Sequence, residues 1–492
     1  MRPLQDRRRF LASMGAAGSL AVAGCLGIGE SDENELTPVD SSYDLAVEHD
    51  LESWDRYDPD WEPPETSPAE AEFRTETLVE NLEIPWDMSF ADDGGLYFSE
   101  RIGRISRYEA GEIRAVTEAD DVIDHATSVS PNVEGQDWWG GGSEGGLLGI
   151  ALHPNYPDVP VLYAYYTYRA GEEEYRNRLV YYDLEADNEE TVVVDGIPAH
   201  RIIHNGARVA FGPRNYLWVT TGDSGEEAKG EEFAQDGGNL AGKILRLEPD
   251  GTAPSDNPGL DDPRVYTYGH RNPQAISWLP DATPIAAEHG PSGGGDEVNV
   301  LEAGGNYGWS EVRSGPGEYG AYADHDDVTP PVVNTGDETW APPGGVFYTG
   351  EAVPALRNRF VLGGLISQQL NVVSVYEGSA PDIGGTRYDA EWLHPDYEAV
   401  AHSLMNNELG RIRHVEQGPE GELYAVTSNR DGRSSRSVRT VRRSGSARRG
   451  GCGRVRSSKA GGRPPRSRGA STPHRTGCRR CRAPSPRRRR RR

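Results

Sequence analysis

One pattern recurs six times in this chain: an apolar stretch, a turn rich in Pro, Asp and Gly, then a strand in which apolar and polar residues alternate. The copies fall at 86–101, 150–166, 209–223, 276–290, 345–367 (a degenerate copy) and 415–429. Alternation with a period of two marks a half-buried strand, and the residues between supply hairpin turns. A unit of this kind cannot bury its apolar face alone, so successive copies must pack against one another. Six hairpins over about 360 residues give units longer than the usual ~40–45-residue blade. The expected architecture is all-β: a six-bladed β-propeller with long loops. The 60 Gly and 35 Pro of the 492 residues count against a helical bundle. In a propeller the loops of every blade meet around one axial funnel, so chemistry is sought in the loops that flank the repeated strands.

Charge divides the chain. Residues 433–492 carry 23 Arg or Lys and no acid; the totals of 51 basic and 78 acidic therefore leave 28 against 78 in residues 1–432. So acidic a body excludes nucleic acid and anionic membrane as partners. Its few cations are nearly all Arg. Acid-rich, Lys-poor surfaces suit a halophilic protein, kept soluble where strong salt screens self-repulsion. The Arg/Ser/Gly/Pro run from 433 to 492, ending in six arginines, starts abruptly in mid-pattern. It reads as a frameshifted, disordered tail, with a basic nucleic-acid tail as the other reading. The propeller domain is accordingly set at 72–432.

The N-terminus reads as an address. Arg7, Arg8 and Arg9 precede a small-residue apolar run too short to span a bilayer. The run ends in Val22-Ala23-Gly24-Cys25, similar to a lipoprotein cleavage box. Residues 1–28 are thus expected to be a twin-arginine signal, with Cys25 lipidated and the protein held on the outer face of the cytoplasmic membrane. Residues 29–71, acidic and Pro-rich, are expected to be a tether. With no Cys between Cys25 and Cys452, the body holds neither a disulfide nor a thiolate metal site.

Four loops carry candidate chemistry. His204, on a Gly-containing loop ahead of a strand, is a candidate base, although a lone His is often structural. Tyr268-Gly269-His270-Arg271-Asn272-Pro273 is extended, because Pro273 disfavours helix at Asn272. It presents Arg271 and Asn272, either as an anion clamp or as a braced turn. The stretch from Glu288 through Gly290, Pro291, Asp296 and Glu297 to Tyr307 offers carbonyls and carboxylates. Such an all-oxygen set suits Ca²⁺, and it equally suits a flexible acidic turn. Arg411 and Arg413 stand at i and i+2, on one face of a strand. Together they need an anionic partner, which a bound carboxylate or a nearby acid could supply.

These loops, with Gly145-Gly146-Leu147-Leu148-Gly149-Ile150-Ala151-Leu152-His153-Pro154, resemble the soluble PQQ-dependent aldose (glucose/sorbosone-type) dehydrogenases over about residues 72–432. Five motifs in the same order make the resemblance specific. It implies PQQ at the funnel mouth and oxidation of the C1 hydroxyl of an aldose to a lactone. His204 is then the base, and Arg271, with Asn272 beside it, polarises the quinone. Carbonyls of Gly290 and Pro291 hold the calcium bound to PQQ. Glu297, the Tyr307 carbonyl and Asp296 hold a second calcium, and Arg411 and Arg413 clamp PQQ carboxylates. Two positions depart from the pattern: Glu144 stands beside the cofactor where several members have Gln, and Ile366 where many have Lys. No Cys-x-x-Cys-His is present, so electrons are expected to pass to an external acceptor. The alternative is an extracellular propeller that binds glycans or proteins without redox turnover. A lactonase-type hydrolase would need an axial calcium ringed by Asn, Asp and Glu, and no such set is seen.

Overall fold

The computed structural model describes residues 38–444, apart from 120, 124–143, 173, 226–229, 292, 313–321, 323–324 and 429–435. Cys25, the arginines before it and the chain beyond 444 lie outside these residues. The strands follow the repeat. After β1 (Phe73–Val79), blade 1 consists of β2 (Pro85–Phe90), β3 (Leu96–Glu100), β4 (Arg104–Glu109) and β5 (Glu112–Glu118). Blade 2 is β6 (Leu147–Leu152), β7 (Val161–Arg169), β8 (Tyr175–Asp183) and β9 (Glu189–Pro198). Blade 3 is β10 (Val209–Phe211), β11 (Leu217–Thr221), β12 (Lys243–Leu247) and β13 (Val265–Tyr268).

Blade 4 follows as β14 (Pro273–Trp278), β15 (Pro284–Glu288), β16 (Glu297–Val300) and β17 (Val333–Asn334). Blade 5 has five strands, β18 (Gly345–Tyr348), β19 (Arg359–Gly363), β20 (Leu370–Glu377), β21 (Thr386–Tyr388) and β22 (Tyr397–Leu404), with β21 on the outer edge. Blade 6 is β23 (Ile412–Gln417), β24 (Leu423–Ser428), β25 (Arg436–Arg443) and the returning β1. Contacts run from β2 to β6, β6 to β10, blade 3 to β14, β14 to β18, β18 to β23 and β23 back to β2, which closes a ring of six.

Of the innermost strands β6, β14 and β18 are buried along their whole length and β2 and β23 over most of it, whereas β5 and parts of β9 are exposed. Alternation is therefore blurred near the axis, where a strand is covered on both faces. Each pair of neighbouring blades shares its own apolar seam. Leu148, Tyr163 and Tyr165 meet Val209, Leu217 and Val219 between blades 2 and 3; Val346 and Val361 meet Ile412, Val415 and Leu423 between blades 5 and 6. Burying each such side chain contributes about 1.5–3 kcal/mol.

Two boundaries read from composition are corrected. The last strand of blade 6 comes from inside the basic stretch expected to be disordered: β25 pairs Val438 with Val426 and Val441 with Leu423 on one side, and Thr75 with Val441 on the other. Ser437, Val438, Thr440 and Val441 are buried, Arg439 and Arg442 are partly exposed and Arg443 is exposed. A short apolar alternation inside an Arg-rich run is enough to complete a sheet whose other three strands already exist.

Residues 38–71, expected to be a tether, form instead a strap against the ring. His153 donates from Nε2 to Leu45 O (3.1 Å) and Asn215 from Nδ2 to Glu48 O (2.9 Å). Further on, Trp61 packs edge-on against Phe347, and Tyr376 donates to Pro64 O (2.7 Å). Its acidic side chains are mostly exposed, whereas Leu45 and Pro68 are buried and its carbonyls bond to the blades.

Candidate active site

The site lies at one end of the ring, where residues entering the first strand of a blade meet residues leaving the second. Glu144, His204, Asn272 and Arg411 precede β6, β10, β14 and β23; Arg101, Asp223 and Glu288 stand at or just past the ends of β3, β11 and β15. Hydrogen bonds tie Glu144, His204, Asn272, Asp223 and Glu288 directly to one another. Glu144 Oε2 accepts the His204 backbone N–H (2.9 Å) and the Asn272 side-chain amide (3.0 Å). Asn272 Oδ1 in turn accepts the Gly206 N–H (3.0 Å). One carboxylate and one amide thus tie the entries of blades 2, 3 and 4 together.

His204 has φ +54, a left-handed conformation that is costly for a side chain with a Cβ. Gly222 makes it possible: a Cβ there would sit 2.2 Å from His204 O. His204 Nδ1 is 2.7 Å from Asp223 Oδ1. The carboxylate is an acceptor, so Nδ1 carries the proton and Nε2 presents its lone pair. Asp223 is fixed in its own right, with Oδ2 taking the Trp309 indole N–H (2.8 Å) and Oδ1 the Gly225 N–H (2.8 Å).

Arg271 has its guanidinium over the Trp309 ring, 5.3 Å from the centroid, and donates to His289 O (3.0 Å). Its backbone N–H is held by Glu288 Oε2 (2.8 Å), while Glu288 Oε1 is held by buried His270 (2.9 Å). Burial lowers the pKa of Arg271, with Asp223, Glu144 and Glu288 opposing.

Arg413 is buried, its guanidinium 4.1 Å from the Trp86 ring. Burial, and then the neighbouring guanidiniums of Arg411 and Arg101, hold its pKa well below the arginine range, with Glu144 opposing. Arg411 donates to Leu365 O (2.8 Å). Arg101 donates from Nε and Nη2 to Gly145 O (2.9 and 2.6 Å), and burial pushes its pKa down to about 10. Four guanidiniums around Glu144 and the buried imidazole of His289 make an anion-seeking cleft in an acidic protein.

The sequence singled out His204, Arg271, Asn272, Glu144, Arg411 and Arg413, and the structure brings them together. Asp223, Arg101, Trp309 and His289 were not assigned roles. A signal existed for two: Arg101 and Asp223 are the last residues of the first and third repeat copies, and the end of that strand opens on the cleft.

The Gly290–Glu297 loop folds back on itself, so that a Cβ at Gly290 would lie 2.1 Å from Gly295 O. Asp296 builds this loop: Oδ1 accepts the Gly290 N–H (3.0 Å) and Oδ2 the N–H groups of Trp340 and Ala341 (2.6 and 2.8 Å). Glu297 accepts from Tyr322 and Asn334 (2.6 and 3.2 Å). The Tyr307 hydroxyl donates to Val300 O (2.8 Å). Among the described residues no three His, Cys, Asp or Glu side chains are grouped as a metal site. A cavity of about 10 Å³ remains between Arg271, Glu288, Gly290, Glu297 and Tyr307, among others.

A family model described as Glucose / Sorbosone dehydrogenase matches residues 82–436. The aldose sugar dehydrogenase YliI of Escherichia coli K12 is 26% identical over 389 residues, spanning 74% of this chain and 92% of the relative. Quinoprotein glucose dehydrogenase B of Acinetobacter calcoaceticus is 29% identical over 287 residues, 51% and 56% of the two chains. Among solved structures, the PQQ-bound form of aldose sugar dehydrogenase from Streptomyces coelicolor shares 27% identity and superposes with a TM-score of 0.57, covering 77% of this chain and 99% of that one. Ring, cleft and matched residues agree: the chain belongs to the Glucose / Sorbosone dehydrogenase family.

Proposed function

We propose that the protein oxidises the C1 hydroxyl of aldose sugars to lactones with PQQ and calcium, passing the electrons to an external acceptor. The observation that carries this reading is the His204–Asp223 pair, whose free Nε2 shares a cleft with Arg271. Two buried groups there, Arg271 Nε and His289 Nε2, have no hydrogen-bond partner among the described residues. Leaving such groups unpaired costs about 1–3 kcal/mol each, so the cleft fits an anionic, hydrogen-bonding ligand. When bound, PQQ supplies a two-electron quinone that accepts the hydride leaving C1.

The residues divide the remaining work. His204 Nε2 takes the C1 hydroxyl proton, and Asp223 stabilises the imidazolium that forms. Arg271, braced by Glu288 and stacked on Trp309, would stabilise the negative charge that develops on the bound quinone. Arg411 and Arg413 are suited to hold carboxylates. Carbonyls of the Gly290–Pro291 turn would hold one calcium. The small cavity beside Glu297 and Tyr307 has the volume of one water-sized occupant and would take a second. Ile366 is 58% exposed and gives no cation to the cofactor.

Reconstitution of the full chain with PQQ and Ca²⁺ in strong salt, followed by dye reduction with aldoses, tests the reading; a folded protein without turnover would defeat it. Export by the twin-arginine route and anchoring through Cys25 belong to the same proposal, and mass spectrometry of the mature N-terminal peptide for a lipid on Cys25 checks them.

A further inference from the structure

A cavity of about 590 Å³ opens on blade 2, between the end of β7, the start of β8 and the segment entering β10, and its walls include Asp121, Tyr168, Arg169, Tyr175, Arg178 and Arg201. Its volume is that of a small-molecule site. Three guanidiniums in one cavity stand out in a body with 28 basic residues against 78 acidic ones. Arg178 is structural: it lies 3.7 Å from the centroid of the Tyr168 ring and pairs with Asp121 (3.4 Å) and Asp195 (3.3 Å). Arg178 offsets one of the two charges of Asp121 and Asp195, and Glu174 on the adjoining turn is taken by Arg176.

The other two arginines are left over. Arg169 donates to Glu172 O (3.1 Å) and the Tyr175 hydroxyl (3.3 Å), with the Tyr175 ring 5.5 Å away. Among the described residues neither Arg169 nor Arg201 pairs with a carboxylate. Arg201 is three residues ahead of His204, a separation of roughly 10 Å at most, and the next residue, Ile202, accepts the Glu144 N–H at its carbonyl. The cavity therefore flanks the cleft at the distance of a neighbouring sugar ring.

We propose that this cavity is a second saccharide subsite, which holds an anionic sugar unit of an oligosaccharide whose reducing end lies at His204. Arg169 and Arg201 bind the carboxylate or sulfate group; Arg178, flat on Tyr168, forms a rigid wall. The inference rests on the oxidation of aldoses proposed above.

Two measurements separate the inference from that reading. Calorimetry with the cofactor-free protein, at the lowest salt that keeps it folded, reads binding of glucuronate, glucose 6-sulfate and glucose without any turnover. Steady-state assays of the reconstituted enzyme compare a disaccharide ending in glucuronate with its neutral counterpart. The anionic disaccharide is expected to have a KM about 10–100-fold lower, and R169A/R201A to erase the difference while leaving glucose turnover unchanged. Binding of glucuronate alone assigns carboxylated sugars, and of the sulfate alone sulfated ones. Binding of neither, or a preference that survives in R169A/R201A, overturns the subsite. Absence of turnover with any sugar, while glucuronate still binds through these arginines, would count against the oxidation and not against the subsite.

Discussion

Asp223 holds two residues of the cleft at once: one carboxylate oxygen receives Nδ1–H of His204 at 2.7 Å and the other the indole N–H of Trp309 at 2.8 Å. The base and the ring on which Arg271 stacks are thus set by one side chain. In Asp223→Asn the amide can still accept from one partner but favours the wrong imidazole tautomer. Turnover is expected to fall about 10²–10⁴-fold with the PQQ dissociation constant little changed, read by dye reduction and by PQQ titration. Wild-type kcat in this variant would remove the pair from the mechanism.

Glu144→Gln keeps an acceptor for the His204 N–H and the Asn272 amide while deleting a negative charge beside Arg101, Arg413 and His289. A tricarboxylate should then bind about 10-fold more tightly, from the removal of one nearby like charge. Isothermal titration with PQQ decides it; weaker binding would show that the charge of Glu144 serves the holoprotein.

The two arginines of the i, i+2 pair should differ. Arg411→Ala removes a partly exposed cation and is expected to weaken PQQ binding without lowering Tm. Arg413→Ala also empties the space over Trp86, and a lost buried side chain of this size costs about 2–5 kcal/mol. Paired melting curves and PQQ titrations separate the effects, and an equal Tm loss in both variants would contradict the difference in burial.

Four histidines, His153, His289, His394 and His402, have pKa values lowered by burial. The unfolded chain takes up their protons near pH 6.5 while the folded chain still refuses them. Their contribution to stability is therefore intact above about pH 6.5 and is lost as the pH falls through the lower folded values. Each proton is worth up to about 1.4 kcal/mol per pH unit. Tm should hold steady from about pH 8 to 6.5 and drop below that, ahead of the ordinary carboxylate range near 4. Scanning fluorimetry across this interval checks it, and a flat profile down to pH 5 would refute it.

Chains cut at two points test the ring closure. Ending at Gly432 removes β25, which strips Leu423 and Thr75 of their partners and exposes the edges of β24 and β1. Insoluble protein or a broad, uncooperative melt is expected. Ending at Ser446 should leave the melt unchanged. If the Gly432 form melts like the full chain, blade 6 does not need β25.

Much of this was legible in the sequence, for identifiable reasons. The six hairpins announce themselves because a turn and an alternating strand are local signals. His204, Arg271 and Arg411 stand out because polar residues at strand entries, beside Gly or Pro, rarely serve packing alone. Asp223 and Arg101 were hidden in plain alternation, since a polar residue at a strand end looks like any solvent-facing position until the ring shows which end opens on the cleft. β25 and the strap were misjudged because composition reports what a free segment would do. Both segments meet a surface that is already formed: Val438 and Val441 complete an existing sheet, and Leu45 and Trp61 dock on existing blades.

Pairing β1 with β25 sets a clock on biogenesis. The strand that begins blade 6 ends at Val79 and its partner begins at Arg436, so the ribosome must add some 357 residues before the two can meet. At about 5–20 residues per second that interval is roughly 20–70 s. Through that time the nascent chain carries an open arc of blades with unpaired edges, and its demand on chaperones is greatest just before the last strand leaves the exit tunnel.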